Sequence, residues 1–378
     1  MKVKALQLTN FRNHQDTTIE FCDGVNLITG QNAQGKTSIL EALSYVCLTK
    51  SFLQQSERTI VKHGTDSFSV DAAIVKEPGI RHEARVVFET GIGKKYYLNG
   101  GDARRASDIV GMFPIVVLHP GDFSLTGGGP SERRKFLDML LSQVSRSYLE
   151  ELIEFGRAVK QRNKILLDGK LTGGLDPGIL DAWTDALVLH GTRIVSRRAT
   201  FLHEFQDVFA SAYASLVDIG ETPAISYTPS FAFDSDISGS FYDNLRRLSN
   251  VERARGSTLT GPHRDDIEFT LNGFPVKEYA SQGQNKTILV ALKMAEFSYM
   301  KTMLAETPVV LLDDVMSELD SCRSRNTLKA IAYLGQTFIT GTDLVDVFDA
   351  NSQDASRYFA LEPKIHFVKE GSILYQHV

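Results

Sequence analysis

Residues 30–37 read Gly30-Gln31-Asn32-Ala33-Gln34-Gly35-Lys36-Thr37, a complete phosphate-binding loop, and its acidic partner does not appear until Asp313 and Asp314 near the far end of the 378-residue chain. Both halves of one site must therefore lie on one sheet, with most of the chain inserted between them. The local context fits. Val25-Asn26-Leu27-Ile28-Thr29 is an apolar, β-branched run suited to a buried strand, and Ser38-Ile39-Leu40-Glu41-Ala42-Leu43 opens a helical pattern. Gly30 and Gly35 let the backbone curl so that successive N–H groups and the positive end of the following helix face one anion. In this pattern residues 30–38 cradle the phosphates of a nucleotide. Lys36 reaches the β and γ phosphates, and the Thr37 hydroxyl takes one position on Mg²⁺.

Val309-Val310-Leu311-Leu312 predicts a buried parallel strand that delivers two carboxylates to the phosphate-binding edge of the sheet. Asp313 is placed on the metal, directly or through water. Asp314 is placed where a carboxylate orients and deprotonates the attacking water. A helix cap is the other use for paired acids at a strand end. Upstream, Ser281, Gln282, Gly283 and Gln284 precede an apolar helix through Ile288, Leu289, Leu292 and Ala295, which makes a second anion-facing helix start. One nucleotide needs one such cradle. Two half-sites point to two copies of the chain arranged head to tail around a shared γ-phosphate, and a polar cap without a ligand is the alternative.

With 42% hydrophobic and 23% charged residues the chain can bury a substantial core. Cys22, Cys47 and Cys322 are scattered, with neither a zinc spacing nor a disulfide framework, so a reducing cytoplasm is expected. No segment reads as a signal peptide or reaches membrane-spanning length. Strands are expected over residues 19–21, 25–29, 67–75, 83–88, 95–99 and 115–118, then 267–271, 309–312 and 337–340, with 365–368 and 372–375 closing the chain. Between them, Phe136, Leu140, Val144, Tyr148 and Leu152 recur at helical spacing. They predict a helix from about residue 131 that, if unbroken to Leu166, spans roughly 50 Å with a kink at Gly156. A second helical region is expected over 179–216. The fold class expected is α/β: residues 1–130 form the first part of an ATPase lobe, 131–258 an inserted, mostly helical arm, and 259–378 the second part of the lobe. Plain bundle packing accounts equally well for the arm's apolar stripe.

Taken in order, the loop at 30–37, inserted helices, Ser281-Gln282-Gly283-Gln284, the Asp313-Asp314 strand and Ser317-Glu318-Leu319-Asp320 resemble the ABC-type ATPase heads of the SMC and Rad50 group. The RecF family within that group is the most similar. Leu8-Thr9-Asn10-Phe11-Arg12-Asn13, the run Ser131-Glu132-Arg133-Arg134-Lys135-Phe136-Leu137-Asp138, and Gly261-Pro262-His263-Arg264-Asp265-Asp266 carry that narrower likeness. The resemblance adds Arg12 and Asp320 to the nucleotide-binding residues. It implies an ATP-dependent homodimer, DNA at gaps or single-strand/duplex junctions, and loading of RecA together with RecO and RecR. Two departures stand out. His119-Pro120-Gly121-Asp122 replaces the Gln that such heads place after the strand at 115–118, and Gly341-Thr342 replaces a His after 337–340. With Asp314 where a Glu is usual and no switch His, hydrolysis should be slow, a timer with turnover no higher than roughly 1 s⁻¹, and the resemblance implies that DNA stimulates it.

A formal charge of −5 excludes a uniformly basic surface, so DNA must meet a local patch. Arg246, Arg247, Arg253, Arg255 and Arg264 are the candidates, with Arg193, Arg197 and Arg198 at helical spacing beside them. Sequence-specific readers are missing from the pattern, so backbone contacts and strong salt dependence are expected. A tethering ATPase of the SMC or Rad50 kind is the competing function, but it needs long heptad arrays or a Cys-x-x-Cys hook. An acidic-domain nuclease or a transporter ATPase fits less well.

Overall fold

Alternation of apolar and polar residues builds one sheet and continuous apolar runs build another. In the computed structural model, which describes residues 1–101, 104–174, 176–217, 220–314, 334–342 and 363–377, the chain divides by contacts into two units. One comprises Met1–Phe123, Ala212–Ile219 and Ser281–Val378, the other Ser124–Ser211 and Gly220–Ala280.

The first unit opens with β1 (Lys2–Phe11), β2 (His14–Glu20), β3 (Val25–Thr29) and α1 (Lys36–Leu48), then β4 (Ser67–Lys76), β5 (Ile80–Glu89), β6 (Gly93–Leu98), α2 (Ala106–Ile109) and β7 (Ile115–Leu118). After α3 (Phe123–Gly127) the chain enters α4 (Pro130–Val144), α5 (Arg146–Thr172), α6 (Pro177–Ala214), β8 (Pro223–Thr228), α7 (Ile237–Arg255), β9 (Asp266–Leu271), β10 (Phe274–Pro275) and α8 (Val276–Tyr279). It then returns to the first unit with α9 (Gln282–Leu304), β11 (Val309–Asp313), β12 (Thr337–Gly341), β13 (Lys364–Lys369) and β14 (Ser372–His377).

An antiparallel sheet runs β2-β1-β4-β5-β6. In β4 the side chains of Phe68, Val70, Ala72 and Ile74 are buried while the positions between them are not, the half-buried pattern of a sheet covered on one face. The second sheet runs β14-β13-β3-β12-β11-β7, with parallel pairing from β13 to β7. All five residues of β3, β11 and β12 are buried, as required for strands packed on both faces. This order sets β12 between the strand that feeds the phosphate loop and the strand that ends in Asp313. Among the described residues no helix is long and apolar enough to cross a membrane.

The second unit packs α4 to α7 with the antiparallel sheet β10-β9-β8. Two sequence expectations change here. The long helix is two helices: Ser145 is extended at φ −142° and ψ 108°, and its side chain caps α5 by accepting from the Tyr148 N–H. The apolar spacing runs straight across this break, so periodicity alone does not reveal it. Gly156, expected to kink the helix, lies within the continuous α5. Strand β8, absent from the strands expected of the sequence, starts at Pro223, and Pro fits there because β8 is an edge strand.

Candidate nucleotide site

The loop leaves β3 and turns into α1 at Gly35, whose φ of 109° lies in the region that favours glycine. A side chain there would also strike Asn13 and the His14 ring. No side chain caps α1, so its first N–H groups are left to the loop's concave side. Lys36 is buried, and its Nζ donates to the carbonyls of Gly30 (2.6 Å) and Gln31 (2.9 Å). The ammonium thus sits across the mouth of the loop.

Thr37 Oγ1 donates to Asp313 Oδ1 at 2.8 Å, which joins the two halves of the site that the sequence separates so widely. The Asp313 carboxyl is held above the usual carboxylate range, chiefly by burial, against the hydroxyls of Thr340 and Thr37 and the nearby His119. A hydroxyl and a carboxylate this close are a donor set that fits Mg²⁺, a small hard cation that takes oxygen ligands at about 2.1 Å. Asp314 follows at φ 51° and, like Thr340, lines the same cavity of about 1120 Å³ as the loop.

The loop is clasped from outside by segments that no local motif announces. Asn13 Nδ2 (2.8 Å) and the Gly371 N–H (3.0 Å) both donate to the Gln34 carbonyl, and the Glu370 N–H donates to Gln34 Oε1 (2.6 Å). His14 Nε2 lies 3.1 Å from the Gly35 carbonyl. Gln34, read as a nucleotide contact, therefore spends its side chain on the turn between β13 and β14. Residues 31–33 are exposed and Ser38 lies with them on the cavity side, where Asn32, Ala33, Gly35, Lys36, Thr37 and Ser38 all line the wall. Arg12 lines it too, but its guanidinium forks onto buried Glu41 with two bonds of 2.8 Å and donates to the Thr59 carbonyl at 3.1 Å. Arg58, Thr59, Val61, Lys62, His63, Gly64 and Thr65 close another side of the cavity. Sequence reasoning missed that segment, the clasp and Thr340, because each is brought in by strand pairing rather than by spacing.

Ser281 begins α9 in a capping box: its Oγ accepts from the Gln284 N–H (3.2 Å) and Gln284 Oε1 accepts from the Ser281 N–H (2.8 Å). None of Ser281, Gln282, Gly283 and Gln284 is in the described lining of the cavity. Further along α9, Lys293 meets Glu296 (3.1 Å) and Asp122 (3.9 Å). Asp122 itself forms a reciprocal cap with His119, whose Nδ1 accepts from the Gly121 N–H at 3.1 Å. Burial lowers the His119 pKa, and that hydrogen bond leaves the neutral ring's proton on Nε2. At the other departure, Thr342 offers its backbone carbonyl to Thr29 Oγ1 at 3.0 Å. Asp320 and its loop lie outside the described residues.

The basic candidates lie in the second unit. Arg246, Arg247, Arg253, Arg255 and Arg264 are all exposed. Arg246 faces an equally exposed Asp243 at 3.8 Å, and Arg253 and Arg255 occupy the last turn of α7, where positive charge also suits the helix dipole. Two neighbours in the sequence reading change role. Arg198 is buried between Asp138 (2.7 Å) and Asp265 (3.4 Å), and Arg193 pairs with Glu151. Buried Arg198 is not left to neutralise a phosphate, whereas Arg193 stays more than half exposed in its ion pair. Glu252, next to Arg253 in α7, is buried against Arg162 at 2.6 Å. The runs at 131–138 and 261–266 prove to be one construction: Arg133 forks onto Asp266 at 2.7 and 2.8 Å, Arg134 donates to the Asp265 carbonyl, and Arg198 links Asp138 to Asp265 and the Pro262 carbonyl.

The AAA domain family matches residues 5–166. Over 354 residues the chain is 38% identical to the DNA replication and repair protein RecF of Chloroherpeton thalassium, covering 92% of this chain and 96% of that one. A solved structure of the recombination mediator protein RecF-ATP in the RecFOR pathway superposes with a TM-score of 0.88 at 28% identity, covering 100% of this chain and 97% of the other. The SmcHead bound to the C-winged helix domain of ScpA shares the fold alone, at a TM-score of 0.54 and 16% identity over 99% of this chain and 96% of that one. The architecture is thus the α/β head of ABC-type ATPases, and at this identity and coverage the chain belongs to the RecF family.

Proposed function

We propose that the chain is an ATP-controlled DNA-binding switch of DNA replication and repair, which dimerises on ATP and hydrolyses it slowly. The observation that carries this reading is the one-sided cavity. Lys36, Thr37, Asp313 and Asp314 gather on the loop, while the second anion-facing helix start, at Ser281, contributes nothing to the lining. A second copy placed head to tail would supply it. Thr37 and Asp313 would hold Mg²⁺, which supplies charge neutralisation to the phosphates. Lys36 binds the terminal phosphates, and Asp314 orients the attacking water and accepts its proton. A shorter carboxylate than Glu, with no switch histidine after β12, supports turnover below about 1 s⁻¹.

DNA would meet the exposed Arg246, Arg247, Arg253, Arg255 and Arg264 through its backbone, so affinity should fall steeply with salt. Family membership supports gapped or junction DNA as the target, RecA loading with RecO and RecR as the outcome, and the cytoplasm as the place. Sedimentation of wild type, Lys36→Met and Asp314→Asn with and without ATP tests the shared site. Wild type should pair with ATP, Lys36→Met should stay single, and Asp314→Asn should remain paired. Single chains in all three would refute it.

A further inference from the structure

In this fold β12 lies between the strand of the phosphate loop and the strand of the acids. Thr340 is paired with Ile28 on one side and with Asp313 on the other. Its side chain is buried, and a β-branched residue has few rotamers to choose from in a strand. Its hydroxyl makes two contacts of opposite kind. It donates to Asp313 Oδ1 at 2.7 Å and accepts the Asp314 N–H at 3.0 Å. The single proton of a hydroxyl settles the direction: donated to the carboxylate, it leaves the lone pairs for the N–H.

One oxygen therefore contacts both acids. Asp314 adopts φ 51°, a left-handed conformation uncommon outside glycine, asparagine and aspartate, and its N–H is the group tied down by Thr340. Asp313 Oδ1 takes hydroxyl protons from Thr37 and Thr340 together. If Thr37 turns its lone pair toward a cation, Thr340 remains as the donor that fixes the rotation of the Asp313 carboxylate.

We infer that Thr340 is a positioning residue for hydrolysis, which aims the Asp313 and Asp314 carboxylates with one hydroxyl. The inference rests on the ATPase reading above. In this role Thr340 acts through the acids.

The test compares Thr340→Val, which keeps the shape and removes the hydroxyl, with Thr340→Ser, which keeps the hydroxyl. Three quantities are measured on each: single-turnover hydrolysis, affinity for a fluorescent ATP analogue in Mg²⁺, and the Mg²⁺ concentration giving half-maximal rate. The Val variant should hydrolyse roughly 10- to 100-fold more slowly, in the range for losing a partner that orients a metal-ligating carboxylate, with nucleotide affinity within about threefold of wild type. Its half-saturating Mg²⁺ should rise, and Ser should restore both quantities. Equal hydrolysis by wild type and Val would overturn the inference. So would nucleotide affinity falling in step with rate, or Ser as impaired as Val, because each marks a purely structural threonine. Hydrolysis that survives Lys36→Met in the same assay would instead sink the ATPase reading beneath it.

Discussion

Two helix starts in the first unit, both read above as anion-facing, are held in opposite ways. At α1 the N-cap is a glycine without a side-chain cap, and the loop before it is gripped from outside by Asn13, His14, Glu370 and Gly371. At α9 the start is self-contained, since Ser281 and Gln284 satisfy each other's backbone N–H groups. A helix that withholds its first N–H groups from its own side chains has them ready for an anion, but needs distant segments to keep the loop curled. A helix that caps itself holds its shape alone. To take a phosphate, Ser281 must give up a bond worth about 1 kcal/mol.

The largest break in this comparison is Lys36→Met. It removes the ammonium that bridges Gly30 and Gln31 and leaves the loop without its mobile charge. Nucleotide affinity measured by fluorescence anisotropy should fall by about 100-fold or more, the scale of a lost charge-assisted contact of about 3 kcal/mol. Next is Gly371→Ala, aimed at the clasp alone. Gly371 has φ 73°, and a methyl group there would run into the Asn13 carbonyl. The turn would have to move, loosening the bond from the Gly371 N–H to Gln34. We expect about 1–2 kcal/mol less stability and roughly tenfold weaker nucleotide binding. Unchanged binding in a destabilised Gly371→Ala would mean that the loop keeps its curl without the turn.

The same contrast explains what the sequence made legible. The loop at 30–37 and the cap at 281–284 are local patterns, in which each residue's role follows from its neighbours in the chain. The acids were readable because a buried apolar run ends on them. The clasp was not, since Asn13 and Gly371 reach Gln34 only through the pairing of β1 with β2 and of β13 with β3. Thr340 was hidden for a related reason: the end of a strand is visible, but which strands flank it is not. Arg198 failed differently. Helical spacing placed it with Arg193 on a basic face, whereas Asp138 and Asp265, distant in sequence, make a buried position tolerable for a guanidinium.

A smaller effect probes the outer side of the clasp. His366 in β13 is fully buried, with Nε2 3.3 Å from Asn26 Oδ1, and burial pushes its pKa down to about 4. Because the unfolded chain binds this proton near pH 6.5 and the folded one does not, stability present above pH 6.5 is lost as pH falls from there toward 4. Between pH 7 and 5.5 the loss from this group should be about 1 kcal/mol. His366→Gln should flatten that slope by the same amount in denaturant titrations at the two values, read as the difference from wild type. A slope that does not change would place the acid sensitivity at other histidines, such as His263 in the second unit, whose pKa is also pushed down to about 4 by burial.

The smallest effect on the isolated chain is the most informative about the second helix start. Aspartate caps a helix about as well as serine, so Ser281→Asp should leave the melting temperature within about 2 °C of wild type. Its added negative charge, however, would stand where the shared-site reading puts a γ-phosphate, and like charges at contact repel strongly in a partly dry interface. Nucleotide binding by single chains should therefore be unaffected, because Ser281 is outside the described lining of the cavity, while ATP-driven pairing in sedimentation should weaken at least tenfold. The two readouts separate the two roles of this serine. Pairing that survives Ser281→Asp would leave it as a helix cap and nothing more, and the contrast between the two helix starts would then be one of local stability alone.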